Sequence, residues 1–228
     1  MEKLLLIHGA LGAADQMIPL KELLEKDFVV EIIEFEGHGG KSFISEDYSL
    51  DGFVSQLDQK IDNDESVHIF GYSMGGFIAL ISASQGNSNI KSITTLGTKM
   101  RWSPAIAEKE AKRLNPEKIE EKVPAFANAL KMRHGNQWKK VLNRTAQFMR
   151  RLGENSPMTH NRMSAIKIPV QLCLADQDSM VSVEETEEVK RWLSNSRIEK
   201  IFHSKHPMEK TNLTALSQTI RSFIEQVN

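Results

Sequence analysis

The chain alternates between short, nearly continuous apolar runs and longer stretches in which apolar residues recur every three or four positions. The runs, rich in Val, Ile, Leu and Phe, predict strands at residues 4–7, 28–33, 67–70, 92–96, 170–174 and 198–202. An uninterrupted run, rather than an in-out alternation, is the pattern of a strand covered on both faces. Helical patterns lie between them. Leu50, Phe53, Val54, Leu57 and Ile61 share one helix face, with Ser49 placed to cap its start. Ser182-Val183-Glu184-Glu185 has capping-box spacing and opens a helix running to about Leu193. A last helix, from about Asn212 to Gln226, carries Leu213, Leu216, Ile220, Phe223 and Ile224. Strands alternating with helices predict an α/β fold, a mostly parallel sheet of about six strands flanked by helices, in a single domain spanning 1–228.

Residues 99–167 break this rhythm. They hold no good strand but show helical pieces at 104–114, 124–134, 137–152 and 157–166, which predicts a helical insertion between the fourth and fifth strands. The insertion carries 16 Lys or Arg against 6 Asp or Glu, while the remainder carries 13 against 24. Three readings fit that asymmetry: a solvated helix face, a basic cap over an anionic substrate, or a docking face for an acidic partner.

Composition narrows the classes. A formal net charge of −1 gives no global field favouring nucleic acid or an anionic membrane. The single cysteine, Cys173, excludes an intramolecular disulfide and a cysteine-rich zinc site. The amino-terminal apolar run is too short for a signal-peptide core, and no run approaches the roughly 18 residues of a membrane span. The expectation is a soluble, cytoplasmic protein.

The chemistry concentrates after the strands. Gly71-Tyr72-Ser73-Met74-Gly75 follows the third predicted strand and precedes a helical run, the context of a G-x-S-x-G nucleophile elbow. A strand turning at once into a helix strains its apex and leaves no room for side chains at the flanks, hence the glycines. Ser73 is thereby presented at a helix N-terminus, which favours developing negative charge. A serine hydroxyl needs a base, and the base an orienting carboxylate, in the chain order Ser, Asp or Glu, His. Asp176 and Asp178 follow the fifth strand; His203 and His206 follow the sixth. No HExxH or Cys/His cluster supports a metal. Neither G-x-x-x-x-G-K-[ST] nor G-x-G-x-x-G is present, so no nucleotide cofactor is indicated either. His8, His38, His68, His134 and His160 read as structural.

These ordered motifs resemble the α/β-hydrolase superfamily over essentially the whole chain. Leu6-Ile7-His8-Gly9-Ala10-Leu11-Gly12 is similar to the family's H-G-x-x-G oxyanion motif, and Glu36-Gly37-His38-Gly39 to its P-G-H-G, with Glu36 in the proline position. The family's G-x-x-D spacing, with Ala175 for glycine, selects Asp178 over Asp176, which reads as a turn former. A histidine followed by an acidic residue, His206 with Glu209, fits better than His203, although Lys205 replaces the usual glycine. The resemblance implies Ser73 as nucleophile, His206 as base and Asp178 as its orienter. The implied oxyanion hole uses the backbone N–H groups of Ala10 and Met74, with Leu11 a neighbouring choice. Leu11, Tyr72, Phe77 and Arg101 are candidate substrate contacts, and a strand order of 2-1-3-4-5-6 is expected.

The implied activity is hydrolysis of a small carboxylic ester, thioester or lactone through an acyl-enzyme, without cofactor. Two alternatives stand beside it. One is a menaquinone-pathway-type lyase or C–C hydrolase of the same fold, although those lyases carry arginine where this chain has Phe77. Arg101, Arg133, Arg144 or Arg150 of the insertion would then have to supply the anion clamp. The other is a non-catalytic ligand receptor. Phe126, Met132, Trp138, Phe148 and Met149 are apolar insertion residues available for either a pocket or the core.

Overall fold

The computed structural model describes residues 1–61 and 66–227. Six parallel strands, β1 (Lys3–Ile7), β2 (Val29–Ile33), β3 (Val67–Tyr72), β4 (Ile90–Leu96), β5 (Val170–Ala175) and β6 (Ser196–Ile201), form one sheet in the order β2-β1-β3-β4-β5-β6. This is the expected order. All six strands run within two residues of the predicted bounds. The edge strand β6 starts and ends earlier than predicted and exposes Glu199 and Lys200, so it does not carry the continuous apolar run of a strand covered on both faces. Phe202, taken into the strand by pattern, lies beyond it and is 61% exposed.

The apolar runs are double-sided. On β1, Leu5 and Ile7 join the core under α2 (Leu50–Ile61), α3 (Met74–Ser84), α8 (His160–Ala165) and α9 (Val183–Trp192). Leu4 and Leu6 join the opposite core with Met17, Leu20 and Leu24 of α1 (Ala14–Leu24) and Leu216, Ile220 and Ile224 of α10 (Leu213–Val227). All four β1 side chains are at most 1% exposed, each worth about 2 kcal/mol of burial. Periodicity does not announce α1, because Pro19 falls inside it.

Between β4 and β5 the chain forms α4 (Pro104–Lys112), α5 (Pro116–Lys122), α6 (Pro124–His134), α7 (Trp138–Glu154) and α8. The helix α5 was not anticipated. It has a single apolar residue, Ile119, and so no periodicity; its signals are the Asn115 cap and Pro116 at the first turn. The two ends of α7 have different companions. Trp138, Val141 and Leu142 pack with Ile119, Ala127, Leu130 and Leu11 in a separate cluster, whereas Phe148 and Leu152 belong to the main core.

Local capping follows the sequence. The Gly52 N–H donates to Ser49 Oγ at 3.0 Å, and Ser182 and Glu185 form the expected reciprocal box. Glu185, 4% exposed, does more. One oxygen accepts from the Ser182 N–H, while the other accepts from the N–H groups of Met100 and Arg101. It therefore ties α9 to the segment leading into α4. Removing it strands three backbone donors, so Glu185→Ala should cost about 3 kcal/mol, against about 1 kcal/mol for Ser182→Ala. Urea unfolding of the two variants beside the parent checks the difference.

Candidate active site

In a parallel sheet the turns after neighbouring strands converge at one edge. Here the turns after β1, β3, β4, β5 and β6 do so. Ser73 follows β3 directly with φ 50° and ψ −112°, a left-handed conformation that side chains rarely adopt. Its N–H donates to Leu96 O at 2.8 Å, and its carbonyl accepts from Thr98 Oγ1 at 3.1 Å, so the turn is pinned to the end of β4. Serine before a helix ordinarily caps it through the hydroxyl. Ser73 makes no such bond to α3, and its Oγ is left for other chemistry. The flanking glycines are steric requirements: a Cβ on Gly71 would run into the backbone of Gly76, and one on Gly75 would lie 2.6 Å from Ile7 O.

Asp178 and His206 meet at that edge. His206 Nδ1 lies 2.8 Å from Asp178 Oδ2, and Asp178 Oδ1 accepts from the N–H groups of Met180 and Val181 at 2.7 and 3.0 Å. Burial pushes the Asp178 carboxyl up, but the His206 hydrogen bond and charge and the two backbone donors outweigh it, leaving the group below the ordinary carboxylate range. An ionised carboxylate only accepts, so Nδ1 of His206 is the donor in this bond. Tyr72 Oη donates to His206 O at 2.8 Å and fixes that loop from below; burial raises its phenol and keeps it a donor. Gly97, at the end of β4, closes the floor: a Cβ there would lie 3.2 Å from both Asp178 Oδ2 and His206 Nδ1. The rejected pair sits elsewhere. Asp176 accepts from the Ser204 N–H, 2.8 Å away, and His203 is exposed.

A crevice of about 40 Å³ opens on Ser73. Ala10, Ser73, Met74, Phe77, Lys99, Trp102, Thr145, Phe148, Met149 and Leu152 line it. Met74 opens α3, where N–H groups have no acceptor within the helix, and Ala10 comes from the β1–α1 turn. Of the four candidate contacts, Phe77 is on the wall and the others are not. Leu11 packs in the α5–α7 cluster, Tyr72 braces the His206 loop, and Arg101 is an exposed partner of Glu188. Phe148 and Met149 line the crevice; Trp138 is buried among α5–α7, and Phe126 and Met132 are exposed. Thr145 and Trp102 are wall residues that the sequence reading did not single out. Thr145 had a signal, since it occupies the apolar stripe Trp138, Val141, Leu142, Phe148, Leu152 of α7 as its one polar member.

The insertion's cations mostly have other partners. Arg150 pairs with Glu108, and Arg144 donates to Ser45 O. Arg133, with an 11% exposed side chain, reaches Asp15, Glu209 and Leu11 O. Beside it His134 donates from Nε2 to the same Leu11 carbonyl at 3.0 Å and accepts the Gly39 N–H on Nδ1 at 3.1 Å. Leu11 itself has φ 59°. Helix α6 thus grips the turn that carries Ala10. His134 also meets the ring of His38 at 5.7 Å, which in turn faces His8 at 4.9 Å. Glu36, in the proline position of the motif, is 2% exposed and accepts from the Ile44 and Ser45 N–H groups, shaping that loop.

The chain belongs to the α/β-hydrolase fold family, a sequence model of which matches residues 3–142, and is a hydrolase of that class. It is similar to the human monoacylglycerol lipase ABHD6, with 23% identity over 263 residues covering 99% of this chain and 76% of that protein. Among solved structures it resembles a thermophilic esterase from Thermogutta terrifontis (TM-score 0.80, 17% identity, 100% of this chain and 90% of that one). MenH from S. aureus is comparably similar (TM-score 0.78, 22% identity, 99% and 94%). Among the described residues no helix is long and apolar enough to cross a membrane.

Burial lowers the pKa of His8 to about 4 and also lowers those of His38 and His134. The folded chain keeps them neutral while the unfolded chain protonates them below about pH 6.5. Their contribution is therefore complete above that pH and lost as pH falls toward the folded values. At pH 5 His8 alone should remove about 2 kcal/mol of stability relative to pH 7.5, and urea midpoints measured across that range check it.

Proposed function

We propose that this chain is a serine hydrolase acting on a carboxylic ester, thioester or lactone of a small molecule. The observation that carries the reading is the Asp178–His206 pair, held at 2.8 Å at the strand edge that also presents the strained Ser73 with its hydroxyl uncapped. In this reading His206 Nε2 takes the Ser73 proton as Oγ attacks the carbonyl carbon. The tetrahedral oxyanion rests on the N–H groups of Met74 and Ala10, both on the crevice wall. His206 then delivers its proton to the departing alcohol, thiol or lactone oxygen, leaving an acyl group on Ser73. Water, deprotonated by the same nitrogen, attacks the acyl carbonyl and releases the acid, and the proton returns to Ser73. Asp178 stays ionised and holds the imidazole in the required tautomer.

The helices of residues 99–167 act as the cap of this site, with α7 forming one wall. The crevice favours a short acyl group: about 40 Å³ holds only a few water-sized atoms. An anionic substrate finds little support, since Lys99, the one cationic side chain on the crevice wall among the described residues, already donates to Met180 O at 3.1 Å. The lyase alternative gains nothing from the wall, where Phe77 stands and none of the four cap arginines appears.

Labelling with a fluorophosphonate probe tests the reading. The parent should react, and Ser73→Ala and His206→Ala should not. Ester turnover should fall by about 10⁴-fold or more in either variant. A folded parent that stays unlabelled, or a labelled Ser73→Ala, would defeat the proposal and bring the receptor alternative forward.

A further inference from the structure

The wall of the crevice contains a polar group with nothing to bond. Thr145 is 1% exposed and sits in the middle of α7, yet its Oγ1 has no hydrogen-bond partner among the described residues. A helical threonine usually returns its hydroxyl to the carbonyl one turn earlier. Thr145 does not, although Val141 lies one turn before it in the same helix. A buried hydroxyl without a partner is destabilising, and valine of the same shape would avoid that cost. Trp102 repeats the pattern from the segment before α4. Its indole N–H is also buried and unpartnered, and its side chain lines the same crevice. Phe77, Phe148, Met149 and Leu152 supply apolar wall around them.

An indole N–H only donates, and a threonine hydroxyl can donate. Both residues line the same crevice, and groups of this kind match a ligand atom that accepts. We infer that Thr145 and Trp102 form a polar subsite for an oxygen in the acyl part of the substrate, an ether, keto or hydroxyl oxygen close to the scissile carbonyl. The inference rests on Ser73 being the nucleophile, and it narrows the substrate class to short, oxygen-bearing acyl groups. Purely aliphatic acyl groups of the same length would bury both donors without an acceptor, the situation in which polar sites discriminate most strongly.

The test uses p-nitrophenyl methoxyacetate and p-nitrophenyl butyrate, which differ by an oxygen in place of one CH₂. The kcat/KM ratio of the two esters is measured in the parent, Thr145→Val, Thr145→Ser and Trp102→Phe. Intrinsic reactivity cancels when ratios are compared between proteins. The methoxyacetate-to-butyrate ratio should fall about tenfold in Thr145→Val and move the same way in Trp102→Phe. Thr145→Ser should keep the parental ratio. An unchanged ratio in both Thr145→Val and Trp102→Phe overturns the subsite. So does a parent that labels with fluorophosphonate but turns over neither ester. Absence of labelling in the folded parent would instead remove the hydrolase reading on which the subsite rests. Should Thr145→Val fail to fold, Trp102→Phe decides alone.

Discussion

One backbone reversal constrains the rest of the site. A strand gives way to a helix at Ser73 without an intervening loop, and the residue at the corner is held at φ 50°. Strain of that kind costs about 1–3 kcal/mol and persists only where the surroundings over-determine it. They do so here. Every residue of β3 is buried, the Ser73 N–H is bonded to the end of β4, and α3 is buried along most of its length. The close approach of strand and helix explains the glycines at 71 and 75. It also sets the positions of the neighbouring strands, because β1 and β4 must reach the same edge for their turns to flank the corner.

The parallel register extends that logic to the Asp178–His206 pair. With β5 and β6 following β4 across the sheet, the turns after them stand beside the corner, and Gly97 provides the gap in which the carboxylate and imidazole approach. Small differences in the turns decide which residue serves. Asp178 lies within reach of His206 and two N–H groups, whereas Asp176, two residues earlier, braces Ser204.

Much of this was legible in the sequence because it depends on short-range chemistry. Continuous apolar runs marked strands covered on both faces, and the elbow glycines and the capping box act within a few residues, whereas the choice of Asp178 over Asp176 came from the family resemblance. In the edge strand β6, Glu199 and Lys200 interrupt the apolar pattern, yet its bounds were still legible to within two residues. The inserted helices were the least legible part. Helix α7 is amphipathic, but which face meets the main core and which the crevice depends on tertiary packing. Hence Phe148 and Met149 line the crevice, while Trp138 from the same helix is buried in another cluster. The roles of Arg133 and Glu185 were hidden for a related reason, because their partners lie 76 to 122 residues and 84 to 85 residues away, respectively. The positive charge of the inserted helices is likewise a poor guide to ligand charge. Much of it is met by carboxylates at the surface, in pairs of small individual value.

The grip of Arg133 and His134 on Leu11 bears on how this chain can be shortened or rebuilt. Excising residues 99–167 as a cassette would remove the two donors that hold the Leu11 carbonyl and the acceptor that takes the Gly39 N–H. It would also leave Asp15 and Glu209 without their shared cation. The turn carrying Ala10 would lose its outer support while keeping a residue in left-handed backbone. A graft that swaps caps between relatives to change substrate range therefore needs an arginine-histidine pair at the end of its α6 equivalent, or a compensating glycine at position 11.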